Sequence, residues 1–212
     1  MKGVAAFAIY LIGALYGVEV QHSGWFVTGR QKKRTGGMFV PLKNAVGSIL
    51  GLGTQWFFRQ PRSVQTAIIS ALHIHNHVPV YEWPWERYAW QYSVFDAAWY
   101  IAERNGQIPK PKRGKRRRHA DRFYTFARAF HMRSNKREFC RWAKYRNDLI
   151  HQVTWGKNVP GHIPRTPVHR AYLPLRSFTT MALLASIGYN GATLRMPWNT
   201  IQQLGLRAAP EL

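Results

Sequence analysis

Three residue types that can act on a phosphodiester lie close together in the stretch RNDLIH, residues 146–151. Arg146 is a permanent cation whose rigid N–H donors suit the non-bridging oxygens of a phosphate as charge builds in a transition state. Histidine is the side chain type that ordinarily titrates near neutral pH, so His151 is a candidate for moving a proton. Asn147 is a neutral amide that can fix the imidazole tautomer or bind a hydroxyl. The stretch therefore predicts a site for phosphodiester chemistry.

A helix is expected to position these side chains. The segment opens with Ser134 or Asn135 as an N-cap. Its apolar residues recur at helical spacing and predict one buried face, formed by Phe139, Trp142, Tyr145, Leu149 and Val153. Asn147 and His151 are four residues apart and share a face of the helix. Arg146 lies about 140° from His151 around the helix axis, but its side chain is long enough to return to that face. The competing interpretation is a charged histidine at a helix C-terminus beside a surface arginine.

The charge balance predicts a polyanionic partner. The 212 residues carry 31 Lys and Arg against 9 Asp and Glu, a formal charge of +22, so nucleic acid is the first partner to consider and an anionic membrane the second. The cations are most concentrated at 110–118, where interspersed Pro and Gly indicate a loop or mobile arm. Its candidate RNA-binding residues are Lys110, Lys112, Arg113, Lys115, Arg116, Arg117 and Arg118. A solvated charged loop is the alternative.

Cysteine usage and the N-terminus bear on the compartment. Cys140 is the only cysteine, which favours a reducing compartment, and we expect a cytoplasmic protein. The apolar run over residues 3–18 is open to two interpretations, a structural strand or helix and a targeting or membrane-attachment segment. It is short for a membrane span, so a membrane is the disfavoured partner.

The remaining pattern predicts a mainly α, α+β chain in two parts. Residues 1–60 are rich in Gly and β-branched residues, and we expect a small β-rich segment of unknown role, with GWFVTG and GGMFVPL as strands. Residues 61–212 are expected to form an antiparallel helical bundle interrupted by a basic loop at 107–119. Its first helix is expected to begin at Pro61, with an apolar stripe at Val64, Ile68, Ala71, Leu72 and His75. Its longest helix is expected to begin near Pro84 and stop at Asn105–Gly106, with an apolar face of Tyr88, Tyr92, Phe95, Trp99 and Ala102. Two helices follow the basic loop, the second opened by Ser134 or Asn135, and a last helix ends at Gly188 or Gly191.

The motif RNDLIH resembles the signature of the higher eukaryotes and prokaryotes nucleotide-binding (HEPN) superfamily, an Arg followed four to six residues later by His, usually with a polar residue after the Arg. The order of helices over roughly 62–206 is similar to that superfamily's bundle, whereas residues 1–60 match no part of it. Many members are metal-independent endoribonucleases of toxin or antiviral-defence type, commonly homodimers whose two motifs face each other.

The resemblance implies roles for each residue of the motif. Arg146 would bind phosphate and stabilise the transition state, Asn147 would position, and His151 would transfer a proton as the ribose 2′-hydroxyl attacks the adjacent phosphate. We therefore expect an endoribonuclease that cleaves RNA, needs no cofactor or metal and forms a homodimer. An antitoxin or activating protein is a further expected partner. Two alternatives stay open: a non-catalytic HEPN module that binds RNA or a protein, and a basic membrane-surface protein anchored by residues 3–18.

HIHNH carries three histidines at 73, 75 and 77, of which only His73 and His77 share a helical face, so polar residues at a helix end are the favoured interpretation over a metal site. Glu86 and Asp96 lie in one predicted helix, and one of them is a candidate partner for a cation near the motif.

Overall fold

The computed structural model describes residues 2–16, 43–80, 83–109, 117–132, 134–155 and 171–189. Within these ranges the protein is mainly helical, as expected. Its α-helices are α1 (Lys2–Tyr16), α2 (Lys43–Phe58), α3 (Arg62–His77), α4 (Pro84–Arg104), α5 (His119–Ala129), α6 (Lys136–Gln152) and α7 (Tyr172–Ser186). One short 3-10 helix, Val78–Val80, follows α3.

The prediction of a β-rich segment at 1–60 is not seen in the described part of that segment, which is helical. In α2 the apolar residues Val46, Ile49, Leu50 and Phe57 follow helical spacing, and Gly51 and Gly53 lie inside the helix, so the glycine content of this segment does not mark strands and turns here. In α1 nearly every residue is apolar, so neither a strand nor a helix period stands out. The two strand candidates, at 24–29 and 36–42, lie outside the described residues.

The two N-terminal helices pack into the same hydrophobic core as the later helices. Phe7 and Phe57 stack with ring centroids 4.7 Å apart, which joins α1 to α2. The amide of Asn76 in α3 donates to the carbonyl oxygen of Tyr10 in α1 at 2.8 Å. Leu11 and Leu15 are also fully buried. Among the described helices, none has both the length and the apolarity needed to cross a membrane.

The packing of α2 predicts a large difference between two glycine substitutions. A side chain at Gly53 would begin 3.1 Å from Leu11 and 3.3 Å from both Phe7 and Ile187, whereas nothing lies within 4 Å of one at Gly47. Gly53→Leu should lower the free energy of unfolding by about 1–3 kcal/mol because it overpacks this contact. Gly47→Ala should raise it by about 0.5–1 kcal/mol, since alanine is the better helix former.

Denaturant unfolding of both variants measures these changes. Equal tolerance at the two positions would contradict the close approach of α2 to α1.

The central helix α4 lies between α3 and α7. The predicted apolar face of α4 is confirmed, because Tyr88, Tyr92, Phe95, Trp99 and Ala102 are all buried. The predicted bounds are also confirmed: Pro84 occupies the first turn and Gly106, with φ of +68°, follows the helix. The stripe of α3 is buried as expected, at Val64, Ile68, Ala71, Leu72 and His75.

Helices α5 and α6 form a hairpin that packs on α4 and α7 through aromatic rings. Phe123 of α5 is fully buried and stacks on Phe95 of α4 at 3.8 Å. Its ring centroid also lies 5.2 Å from that of Trp142 in α6 and 5.5 Å from that of Phe178 in α7. One residue of α5 therefore links all four helices and fixes the position of α6.

The ends of α6 are defined by its caps. Asn135 is the N-cap, as predicted, and its side-chain oxygen accepts from the backbone N–H of Glu138 at 3.2 Å. At the other end Val153 adopts a left-handed conformation, φ 52°, and is 67% exposed, so the expectation that it extends the buried face is wrong. The helix ends at Gln152, and the change of chain direction at Val153 brings Trp155 against Tyr88, with ring centroids 5.0 Å apart.

Candidate active site

The last turns of α6 bring Arg146 and His151 together. The Nη1 of Arg146 lies 3.4 Å from the Nε2 of His151. Arg146 is half-buried, whereas His151 and Asn147 are exposed. The two side chains therefore converge at the surface, where a polyanion can reach them.

The chemistry of the two side chains decides which of them donates in this contact. A guanidinium can only donate hydrogen bonds, so the Nε2 of His151 must be the acceptor. An imidazole beside a cation can exchange a proton with a substrate whose phosphate binds that cation.

Asn147 contacts Arg146 in this structure. Its Oδ1 accepts from the Nη1 of Arg146 at 3.3 Å. The same Nη1 therefore faces both the amide and the imidazole, and Asn147 helps to hold the guanidinium toward His151. The sequence predicts that Asn147 fixes the imidazole tautomer or binds a hydroxyl; the observed contact adds a role in orienting the cation.

The turn of α6 that carries the site is held by its own polar contacts. Lys144 pairs with Asp148 at 2.6 Å on adjacent turns. The carbonyl oxygen of Asp148 accepts from the backbone N–H of Val153 and from that of Thr154, the latter at 3.1 Å. These bonds close the C-terminus of the helix directly after His151, so the imidazole is presented from an ordered end.

His119, the first residue of α5, is a neighbour of this pair that sequence reasoning did not single out. Burial of the ring lowers the pKa of His119 below its ordinary value, and the charge of Arg146 lowers it further. Arg122 and His151 act in the same direction, while Asp96 opposes them. The only sequence signal for His119 was its place at the end of the basic run, four residues before the core residue Phe123.

Helix α4 contributes Tyr92 and Asp96 to the same region. The Tyr92 ring lies 5.7 Å from that of His119 and 5.4 Å from that of Phe123. Burial and the charge of Asp96 raise the pKa of Tyr92 above its ordinary value, so it stays a neutral phenol. Asp96 forms an ion pair with Arg122 at 3.3 Å. Of the two acidic candidates in this helix, Asp96 is therefore the one seen to pair with a cation near the motif.

The basic arm is described only where it joins α5. Arg117 donates to the carbonyl oxygen of Pro109 at 2.7 Å, and its guanidinium lies 5.5 Å from the ring centroid of Trp99. Arg118 is the N-cap residue of α5 and is exposed. The other five candidates, Lys110, Lys112, Arg113, Lys115 and Arg116, lie outside the described residues.

The three histidines of α3 lie on different faces of the helix, as their spacing predicted. His73 and His77 share a face, with rings 6.2 Å apart and nearly parallel, whereas His75 is buried. Within the ranges that the structure describes, no three His, Cys, Asp or Glu side chains are grouped so as to hold a metal ion.

No protein-family model, curated protein or solved structure matches this chain.

Proposed function

We propose that the protein is a metal-independent endoribonuclease that cleaves RNA by attack of the ribose 2′-hydroxyl on the adjacent phosphate. The observation that carries the proposal is the approach of Arg146 to His151, 3.4 Å apart at the surface. Had the two side chains diverged or been packed in the core, they could not act on one linkage. Their convergence supports a site in which one group binds the phosphate and the other transfers a proton.

Each residue of the motif has a place in this chemistry. Arg146 binds the non-bridging oxygens and stabilises the charge that grows on them in the transition state. Asn147 orients Arg146 through the 3.3 Å contact with its Nη1. His151 transfers a proton. The products of such a reaction are a 2′,3′-cyclic phosphate and a 5′-hydroxyl, and DNA is resistant because it lacks the attacking group.

The charge of the chain supports RNA as the substrate. A formal charge of +22 favours binding to a phosphate backbone, and each contact releases counterions. Arg118 is an exposed cation at the start of α5, the helix whose first residue neighbours Arg146. A basic arm that ends there can lead a single strand toward the motif.

We extend the proposal to a HEPN-like bundle acting as a cytoplasmic homodimer in a toxin or antiviral-defence setting, with an antitoxin or activator as a further partner. The motif and the helical architecture support this extension. If the protein proves inactive, the alternative is a non-catalytic HEPN-like module that binds RNA or a partner protein. Burial of Phe7, Leu11 and Leu15 in the core speaks against a membrane-surface protein anchored by residues 3–18.

The proposal predicts which nucleic acid is cut and under which conditions. Purified protein should cleave single-stranded RNA in the presence of EDTA, and should leave DNA of the same sequence intact. Gel analysis of end-labelled strands measures both. Loss of cleavage in EDTA would contradict a metal-free mechanism, and equal cleavage of DNA would contradict attack by the 2′-hydroxyl. Binding of RNA with no cleavage would identify a binding module.

A further inference from the structure

The register of the α5–α6 hairpin places His119 opposite Arg146. The connection between Ala129 and Lys136 is short, so the two helices run antiparallel. Phe123 of α5 contacts Trp142 of α6 at 5.2 Å. His119 lies one turn before Phe123 and Arg146 one turn after Trp142, hence both extend from this contact toward the same end of the hairpin.

Packing fixes the His119 ring from the side of α4. Its ring lies 5.7 Å from Tyr92, which is only 2% exposed. The Nδ1 of His119 and the hydroxyl of Tyr92 are buried and have no hydrogen-bond partner among the described residues. A half-buried imidazole held by an aromatic contact, with no structural hydrogen bond on Nδ1, is available to titrate during a reaction.

The surroundings of His119 keep the ring neutral. Burial and the positive charge of Arg146 lower the pKa of His119 and disfavour the protonated form; Asp96 opposes this effect, and Arg122 and His151 add to it. His151 differs in its surroundings, because it is exposed in the last turn of α6, where solvent can reach its ring. The neutral ring of His119 suits a general base, and His151 on the adjacent helix is the remaining imidazole near Arg146 that can serve as the acid.

We propose that His119 is a second catalytic residue, the general base of the Arg146–His151 site, and that both imidazoles come from one chain. This assignment rests on the proposed ribonuclease function. Neutral His119 takes the proton of the 2′-hydroxyl as the 2′-oxygen bonds to phosphorus. His151, protonated once phosphate occupies the donors of Arg146, gives its proton to the 5′-oxygen as the P–O5′ bond breaks. His119 then releases a proton to water and His151 takes one up, which restores the starting state.

The test compares His119 with His151 on two substrates. His119→Phe keeps an aromatic ring against Tyr92 and removes the base, and His119→Gln is the second variant; each should cut RNA about 10²–10⁴-fold more slowly than the parent. On an RNA whose scissile linkage carries a bridging 5′-sulfur, the leaving thiolate needs no proton. His151→Ala should regain cleavage of that substrate, while both His119 variants should stay slow.

The pH profile gives a readout that a purely structural role would not move. The acidic limb of kcat/KM should report His119 in the parent and be lost in His119→Gln. Among the described residues, the charged and titratable groups near His119 are Tyr92 and Asp96 from α4, Arg122 from α5, and Arg146 and His151 from α6. His73→Gln, at an exposed histidine of α3, is the control and should leave the profile unchanged.

The outcomes separate this assignment from the function on which it rests. An active parent with fully active His119 variants, or with His119 variants restored by the 5′-sulfur, overturns the assignment alone. An inactive parent overturns the proposed function and the assignment with it. Mixing His119→Gln with His151→Ala should restore nothing, because neither chain holds both imidazoles; recovery on mixing would overturn the single-chain site.

Discussion

His151→Ala is expected to lower the rate of RNA cleavage by about 10²–10⁴-fold, because it removes a proton-transfer group from the reacting linkage. RNA binding should change little, since the cations that contact phosphate remain. The variant is expected to fold, because His151 is exposed and its loss opens no cavity in the core. Single-turnover cleavage of a labelled RNA and its binding by anisotropy measure the two effects separately.

Arg146 and Arg141 provide a matched pair of charge variants on the same helix. Arg146→Ala should lower both cleavage and binding, because the guanidinium contacts phosphate in the bound and the transition state. Arg146→Lys should restore part of the loss at most, since an ammonium lacks the planar fork of donors. Arg141→Ala removes the same charge from an exposed position of α6 and should leave cleavage nearly intact. Equal losses at 141 and 146 would show that charge alone matters.

Lowering the pH should destabilise the protein through His75. This residue is 1% exposed and lies where α3, α4 and α7 meet. The Nε2 of Gln91 donates to its Nδ1 at 2.9 Å. The hydroxyl of Thr180 donates its own proton to the carbonyl oxygen of Arg176, so it must accept from the His75 Nε2–H, 3.1 Å away. Both ring nitrogens are therefore satisfied only while the imidazole is neutral.

The sign of the pH effect follows from this arrangement. Burial, and next the positive charge of Arg176, lower the pKa of His75 well below its ordinary value of 6.5. Between that lowered pKa and 6.5 the unfolded chain binds a proton that the native chain does not. The free energy of unfolding should therefore be highest above pH 6.5 and fall as pH decreases, by at most about 1.4 kcal/mol per pH unit.

Urea unfolding at pH 7.5, 6.5 and 5.5 measures the slope, and two variants of α3 assign it. His75→Gln removes the titrating ring and should flatten the dependence, even where it lowers stability at every pH. His73→Gln, two residues away and exposed, should keep the slope of the parent. The same slope in His75→Gln as in the parent would contradict a buried neutral histidine.

The bundle from 61 onward was predictable because its helices carry strong local signals. The stripe of α3, the Pro84 start of α4 and the Asn135 cap of α6 all stand in the sequence and in the structure. The first 60 residues were misjudged where they are described, since Gly53 serves there as a close helix contact and not as a turn. Local propensity cannot distinguish these uses, because the contact depends on α1 and Ile187, which are distant in sequence.

The candidate site also has one part that the sequence predicts and one part that it does not. Arg146, Asn147 and His151 are close in sequence and on one helix, so their spacing predicted that they would meet, and the 3.4 Å contact is what the spacing implies. His119 lies 27 positions from Arg146 and reaches the site through the pairing of α5 with α6, which only the Phe123–Trp142 contact reveals. Side chains delivered by another helix leave no spacing pattern to interpret.

The central claim, attack by a ribose 2′-hydroxyl without a metal, is tested most directly on a DNA strand that carries one ribonucleotide at a position cut in the all-RNA strand. In EDTA the protein should cut this strand once, on the 3′ side of the ribonucleotide, and mass spectrometry should find a 2′,3′-cyclic phosphate and a 5′-hydroxyl. Cuts at deoxynucleotides, or ends bearing a 3′-hydroxyl and a 5′-phosphate, would contradict the mechanism.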